Sequence, residues 1–586
     1  MPGIYGFTKA SNDDLEALIN LCSEMNPNNN YVQDDLYEDN FICASRTHLG
    51  KVGEKKSPLS FNNYKIWVEG ESYNHDEVSK LFNLTSSGLG NLLLEAYSKK
   101  ILSKFLNKLD GYFCAAIYDP ENQKIKLISD RYGMRMLYWY CKDNHFVWGS
   151  ELKVILARKE VDKAINKKSF KCFLDVGYLL GEETWFQNIK LIKPATILSF
   201  DLETFQVDQL YYWTWSEIKP SMLTFDQAVD KLGLVFSRAV EKRVHQDERI
   251  GVSLSGGLDS RAILAVLEKQ FTDHPGTAYT FGLPGCDDIK IAESVVNLTN
   301  WNHEVFYFNN ENWFHPRLKK IWNTDGMLDM THMHGSEFMK DVSKKIDINL
   351  SGFLGDAIFS SSYQKDSSFN DRKFDNSMSK KYFRGHLDAD FIDDFYDVNH
   401  FEPLLYMTRG RRFINMSIVN SLSFVEQRLP FFDNDCIELI FSLPDKYRFN
   451  NRLYSKMLLR YFPKFFSEIP WQKTGTPVSI SGNNSLFSRV VSRLVRELKS
   501  IFGLNSSESF TDYRNWIRNP VIANELEQLL DPSVALYANF LNQDFLSKYL
   551  KPHLRHKALD YSNKILRAAS IEIYLRQLNE RNFLNY

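Results

Sequence analysis

The stretch that most constrains this chain is Ser255-Gly256-Gly257-Leu258-Asp259-Ser260. It follows the compact apolar run Ile250-Gly251-Val252-Ser253-Leu254 and leads into Arg261-Ala262-Ile263-Leu264-Ala265-Val266-Leu267-Glu268. That order reads as a buried strand, a small-residue turn and a helix. Two glycines and two serines let backbone N–H groups converge on an anion at the helix N-terminus, where the dipole favours negative charge. Asp259 is the unexpected member. A carboxylate beside phosphates repels them unless a cation lies between, so it implies a bridging magnesium ion. The Gly-Lys-Ser/Thr of a Walker loop is missing, which argues against γ-phosphate transfer.

The surrounding pattern supports a parallel sheet. Thr224-Phe225-Asp226-Gln227 is a capping box, and the apolar positions 225, 228, 229, 232, 235, 236, 239 and 240 predict a helix before the key strand. Beyond it come a strand at Ala278-Tyr279-Thr280-Phe281, a helix over 289–298 and a strand over 303–308. Helical material near 331–345 then precedes Ile348-Asn349-Leu350-Ser351-Gly352. Strands alternating with helices predict a doubly wound sheet whose ligands bind beyond the strand C-termini. The loops after Leu254, Gly282 and Leu350 are therefore the expected pocket.

Composition narrows the class. With 586 residues, 44% of them hydrophobic, the chain can bury more than one core. Lys plus Arg is 71 and Asp plus Glu is 73, a balance that disfavours a nucleic-acid binder. Seven scattered cysteines without a CxxC pair fit a reducing compartment and no structural zinc. No apolar stretch reaches membrane-spanning length and no signal-peptide pattern opens the chain, so the expected location is cytoplasmic, away from membranes.

Ser255 to Ser260 resembles the pyrophosphate loop of the asparagine synthetase family, which includes β-lactam synthetases and lasso-peptide cyclases. Members adenylate a carboxylate with ATP, release pyrophosphate and pass the acyl group to a nitrogen nucleophile. Phe281-Gly282-Leu283-Pro284-Gly285-Cys286-Asp287-Asp288 resembles the segment walling the adenine. Leu350-Ser351-Gly352-Phe353-Leu354-Gly355-Asp356 is similar to the family's S-G-E-G-S-D-E, which puts Asp356 on a second magnesium-binding carboxylate beside Asp259. Ser351 and Gly352 join the nucleotide-binding residues by the same match. Glu426-Gln427-Arg428-Leu429-Pro430-Phe431-Phe432-Asp433 matches E-x-R-x-P-F-x-D, and Lys456 and Lys473 fall where the family places cations. Glu426, Lys473 and Lys456 are thus the implied catalytic residues, with ATP and Mg²⁺ as cofactors. Phe353 replaces the family's Glu or Tyr. A phenyl ring does no acid–base chemistry, so Glu426 is left to act alone or with help from the substrate, on an acceptor with apolar surface.

Residues 1–215 read as β-rich, with strands at Lys65-Val68, Tyr112-Tyr118, Ile125-Ile128 and His145-Trp148, a hairpin loop at Asp119-Asn122 and one helix over 90–106. They resemble the family's glutaminase domain through Val68-Glu69-Gly70-Glu71-Ser72-Tyr73-Asn74-His75, Leu109-Asp110-Gly111-Tyr112-Phe113 and Asp130-Arg131-Tyr132-Gly133. The departures concern chemistry. Pro2 stands where the family exposes its cysteine nucleophile, Glu69 replaces the oxyanion asparagine, and Ser86-Ser87-Gly88-Leu89-Gly90 replaces the substrate block G-S-D-x-E.

The expected fold is therefore α/β: a degenerate, layered Ntn-type glutaminase-like domain (1–215) followed by a doubly wound, adenine nucleotide α-hydrolase-like synthetase domain (216–586). The expected activity is AMP-forming amide synthesis without an intrinsic glutaminase. The partners would be a small-molecule or peptide carboxylate and ammonia or an amine, with room for a homodimer. Intramolecular ring closure, amidation of a sugar carboxylate, tRNA modification and a decayed scaffold are the competing readings. Residues 362–400 read as a polar loop, and Arg489, Arg493, Arg496 and Lys499 as the solvated side of a helix over 489–502.

Overall fold

The computed structural model describes residues 2–9, 14–25, 31–53, 55–245, 247–271, 275–362, 374–387, 393–396, 401–479 and 510–584. The expected helix over 489–502 and about half of the expected loop over 362–400 lie outside these residues; the described part of that loop includes a helix, Asn376–Phe383, which the Asp375 side chain caps by accepting the Met378 amide.

The amino-terminal part is a sandwich of two antiparallel sheets. One contains Gly3–Thr8 between His145–Gly149 and Ile42–His48; the other has Tyr64–Ser72, Gly111–Asp119, Lys124–Ser129 and Thr196–Asp201 in succession. Alternate residues of both sheets, among them Ile4, Ala44, Trp67, Ala116, Leu127, Phe146 and Phe200, fill the space between them. Asp14–Met25 and Leu152–Leu156 pack on one outer face and Leu89–Ser98 on the other. This helix–sheet–sheet–helix stack is the layered Ntn-type arrangement, with more helix than the strand-rich sequence pattern predicts. The expected helix over 90–106 is two helices, Leu89–Ser98 and Leu102–Lys108. Lys100 adopts φ +59°, and the amides of Ile101 and Lys100 close back onto the carbonyls of Ala96 and Tyr97, which ends the first helix in a Schellman turn.

The carboxy-terminal part holds a five-stranded parallel sheet in the order Asn302–Tyr307, Thr277–Gly282, Ile250–Ser253, Ile348–Leu350, Glu426–Arg428. Chain order reverses between Ile250–Ser253 and Ile348–Leu350, so the crevice of the sheet opens beyond these two strands. The helix Phe225–Glu241 begins at Thr224 with the expected capping box. Helices Asp259–Gln270 and Asp287–Val296 follow the first two strands.

Buried charge fastens the two parts together. Arg243 donates to Asp433 at 2.7 Å and to Asp110 at 2.9 Å, and Lys242 pairs with the same two carboxylates. Arg428 forks onto Glu71 with two bonds of 2.8 Å and onto Glu248 at 2.6 and 2.7 Å. Removing one partner of a buried pair strands the other without water. Arg243→Met should therefore lower stability by about 3–5 kcal/mol in chemical denaturation. Arg460→Met, which breaks exposed pairs with Asp226 and Asp230, should leave the midpoint nearly unchanged.

Candidate functional site

Asp259 and Asp356 converge at the switch point. Asp259 opens its helix, and its Oδ2 accepts the backbone N–H of Asp356 at 2.8 Å while Oδ1 accepts the Tyr454 hydroxyl at 3.1 Å. Two glycines make the approach possible. A Cβ on Gly355 would lie 2.6 Å from the Asp259 carboxyl carbon, and one on Gly352 would lie 2.9 Å from the Ser260 nitrogen. Leu354 between them is held at φ +55°, a conformation costing a leucine about 1 kcal/mol or more. Burial, then the charge of Asp356, raises the Asp259 pKa well above the carboxylate range; the Asp356 amide, Tyr454 and Lys473 pull against that rise. The two half-buried aspartates stand close enough for their charges to interact, each in the first turn of its helix.

The rest of the loop over 255–260 is internally braced. Ser255 donates its amide to the Ser260 hydroxyl at 3.2 Å and accepts the Gly257 amide on its own hydroxyl at 3.2 Å. The Gly256 amide is committed to Asp288 at 2.8 Å, so Gly256 serves the shape of the loop. Leu258 and Ser260 are buried beneath it. Ser351 donates to the Arg428 carbonyl at 2.9 Å, tying the second loop to the last strand. Phe281 lies half-buried among Phe306, Phe308 and Phe338, and Gly282 leaves room for Cys286.

Lys473 is exposed, 5.3 Å from the ring of Trp471, and its charge reaches Asp259. Lys456 is exposed on the helix Arg452–Tyr461; the residue of that helix touching Asp259 is the buried Tyr454. Phe353 is buried, with its ring 5.3 Å from Phe432.

Glu426 sits at the start of the last strand, buried, with its carboxylate on the Arg135 guanidinium from the amino-terminal part. Arg135 also faces Glu69 at 3.7 Å and lies 4.6 Å over the ring of Tyr112. Burial opposes the charge on Arg135, but Glu426 and Glu69 outweigh it and raise its pKa. Glu69 therefore takes part in a buried three-member ion cluster joining the two parts of the chain.

The first strand is tightly packed at Pro2, Gly3 and Gly6. Pro2 is buried, and Cβ atoms on Gly3 and Gly6 would each fall 2.3 Å from Ser150 and Trp148 atoms. Cys114, 3.8 Å from the Ser150 hydroxyl, has its thiol pushed up to about 12 by burial and then by Glu69. Ser86 and Thr85, in and beside the altered substrate block, donate backbone amides to Glu95 at 2.8 and 2.9 Å.

Sequence reasoning missed the contacts of Tyr454 with Asp259 and of Arg135 with Glu426; Asp288 ends the segment compared with the adenine wall and Gln472 adjoins Lys473, but neither was given a role there. Asp288 carried a weak signal, standing in the first turn of a helix directly after a strand–loop unit.

A layered Ntn-type sandwich joined to a parallel sheet with paired aspartates at its switch point defines a two-domain protein of the amidotransferase–synthetase class. Residues 1–213 match the glutamine amidotransferase domain family and residues 231–413 the asparagine synthase family. A putative glutamine-hydrolysing asparagine synthetase of Methanocaldococcus jannaschii is 27% identical over 50% of this chain and 58% of its own length. Glutamine-hydrolysing asparagine synthetases of Mus musculus and Bacillus subtilis are 27% and 28% identical, over 50% and 36% of this chain and 53% and 34% of theirs. The chain thus spans between about a third and three fifths of the length of these relatives. Its amino-terminal part is similar to a glutamine amidotransferase domain, its carboxy-terminal part to an asparagine synthase domain, and the chain to asparagine synthetases.

The Glu95 contacts give a pH test. Burial works against its charge, but Lys99 and the Ser86 and Thr85 amides prevail and bring its pKa down to about 2 from 4.5. Its stabilisation should be complete above pH 4.5 and fade as pH falls toward about 2. Glu95→Gln should flatten the acid limb of the stability curve in that window and speed hydrogen exchange at the Thr85 and Ser86 amides; an unaltered limb would exclude the linkage.

Proposed function

We propose that this protein is an ATP-dependent, AMP-forming amide ligase that activates a carboxylate and takes its nitrogen from ammonia or an amine, without hydrolysing glutamine. The observation that carries this reading is the convergence of Asp259 and Asp356 at the switch point, each on the loop after a parallel strand.

The donor set suits magnesium. Asp259 and Asp356 would hold the ion, carboxylate oxygens being the donors a hard cation prefers. Bound there, Mg²⁺ would supply charge compensation between the phosphates and the two aspartates. Tyr454 orients Asp259, the exposed Ser255 and the N-terminus of the Asp259 helix would meet the leaving pyrophosphate, and Lys473 adds positive charge on the open side. Glu426, held by Arg135, serves as a fixed carboxylate beside the acceptor rather than as a mobile base. Asp259→Asn or Asp356→Asn should cut ATP–pyrophosphate exchange by about a hundredfold or more while leaving the fold intact. Near-normal exchange in either variant would remove the paired-carboxylate site.

The missing glutaminase activity rests on Pro2, which offers no thiol, and on Cys114, protonated at neutral pH. Purified protein should release no glutamate from glutamine. Steady release, blocked by a thiol-directed glutamine analogue, would overturn this half of the reading.

The acceptor is read from Phe353, packed on Phe432, which favours a carboxylate larger or less charged than free aspartate, such as a sugar acid or a peptide. Screening aspartate, sugar acids, β-amino acids and peptides for AMP release with ammonia or amines tests this; efficient asparagine synthesis from aspartate and ammonia would refute it.

A further inference from the structure

Gly256 has both of its peptide groups engaged. Its N–H donates to Asp288 Oδ1 at 2.8 Å, and its carbonyl accepts from the Gln472 backbone at 3.2 Å and from Arg261 at 3.3 Å. The Gln472 side chain then closes a ring, donating through Nε2 to Asp288 Oδ2 at 2.5 Å. Three distant segments meet here: the pyrophosphate loop, the start of helix Asp287–Val296, and the turn over 471–476. The approach needs a glycine, because a Cβ on Gly256 would lie 2.8 Å from Gln472 Cβ and 3.1 Å from Ile291 Cδ1. Arg261, wholly buried, reinforces the joint by also donating to the carbonyls of Ile469 and Pro470.

The turn carries Lys473 as its next residue. It is closed by the Trp471 amide on the Thr476 carbonyl at 3.0 Å and the Gly475 amide on the Trp471 carbonyl at 2.8 Å, with Gly475 at φ +70°. A short closed turn moves as a unit, so fixing Gln472 fixes the base of the Lys473 side chain. Asp288 is 6% exposed, and a carboxylate so far from water is retained only where donors meet it. Both donors it meets belong to this joint.

We propose that Asp288 and Gln472 form a latch that sets the shape of the pyrophosphate loop and delivers Lys473 to its phosphate side, making both of them positioning residues for nucleotide binding. The proposal rests on the reading of the Asp259 loop as the ATP site. Asp288 touches no phosphate in this scheme; it acts through the Gly256 peptide and through Gln472.

The polarity of the latch makes it testable by exchange. Gln472→Glu sets two carboxylates against each other and should weaken ATP·Mg²⁺ binding about tenfold or more, measured calorimetrically with ATP as the sole ligand. Asp288→Asn in the same chain restores a donor facing an acceptor while still accepting the Gly256 amide, and should return affinity to within about threefold of wild type. In wild type and the double variant, but not in Gln472→Glu, ATP·Mg²⁺ should protect Lys473 from an amine-acylating reagent. A Gln472→Glu variant that binds and protects like wild type, or a double variant as weak as the single one with an unchanged melting temperature, would overturn the latch. Failure of the wild-type protein to bind ATP·Mg²⁺ would instead overturn the nucleotide site itself, and the latch with it.

Discussion

Three charged residues of one short segment, Glu426, Arg428 and Asp433, are buried, and their partners determine how the whole chain is assembled. Glu426 meets Arg135, Arg428 meets Glu71, and Asp433 shares Arg243 and Lys242 with Asp110. Arg135, Glu71 and Asp110 belong to the sandwich. Without it, Glu426 would lose its guanidinium and Arg428 one of its two carboxylates, and a buried charge stripped of its partner costs several kcal/mol. The amino-terminal part therefore has work to do even if it performs no chemistry: it completes the electrostatics of the other sheet.

That dependence explains the pattern of retention and loss in the sandwich. Gly3 and Gly6 are kept because Ser150 and Trp148 occupy the space a side chain would need, a constraint of packing. Glu69 is accommodated because a buried guanidinium lies beside it, where a carboxylate is favourable rather than repulsive. The Ser86 segment is held by Glu95 instead of presenting polar groups to a ligand. Glu69 and Ser86, which depart from the family's catalytic pattern, are both engaged in contacts within the fold.

Much of this was legible in the sequence. The period-two runs located Tyr64–Ser72 and Gly111–Asp119, and the alternation of strand and helix located the parallel sheet and the two aspartate loops. The break at Lys100 was not, because a lysine in left-handed conformation carries none of the glycine signal that marks such turns. Tyr454 reads as an ordinary core position of an amphipathic helix, and only the fold brings it to Asp259, 195 residues away. Arg135 and Glu426 lie 291 residues apart, and neither spacing nor composition reveals a pairing at that range.

The cluster of Glu69, Arg135 and Glu426 also bears on how interchangeable the two halves are. In a modular enzyme, a glutaminase half from one relative could be grafted onto the synthetase half of another. Here a graft bringing the family's asparagine to position 69 would alter the charge around Arg135, and one lacking Arg135 would leave Glu426 without its cation. The halves have become a matched set, and a working chimera must transfer these three positions together.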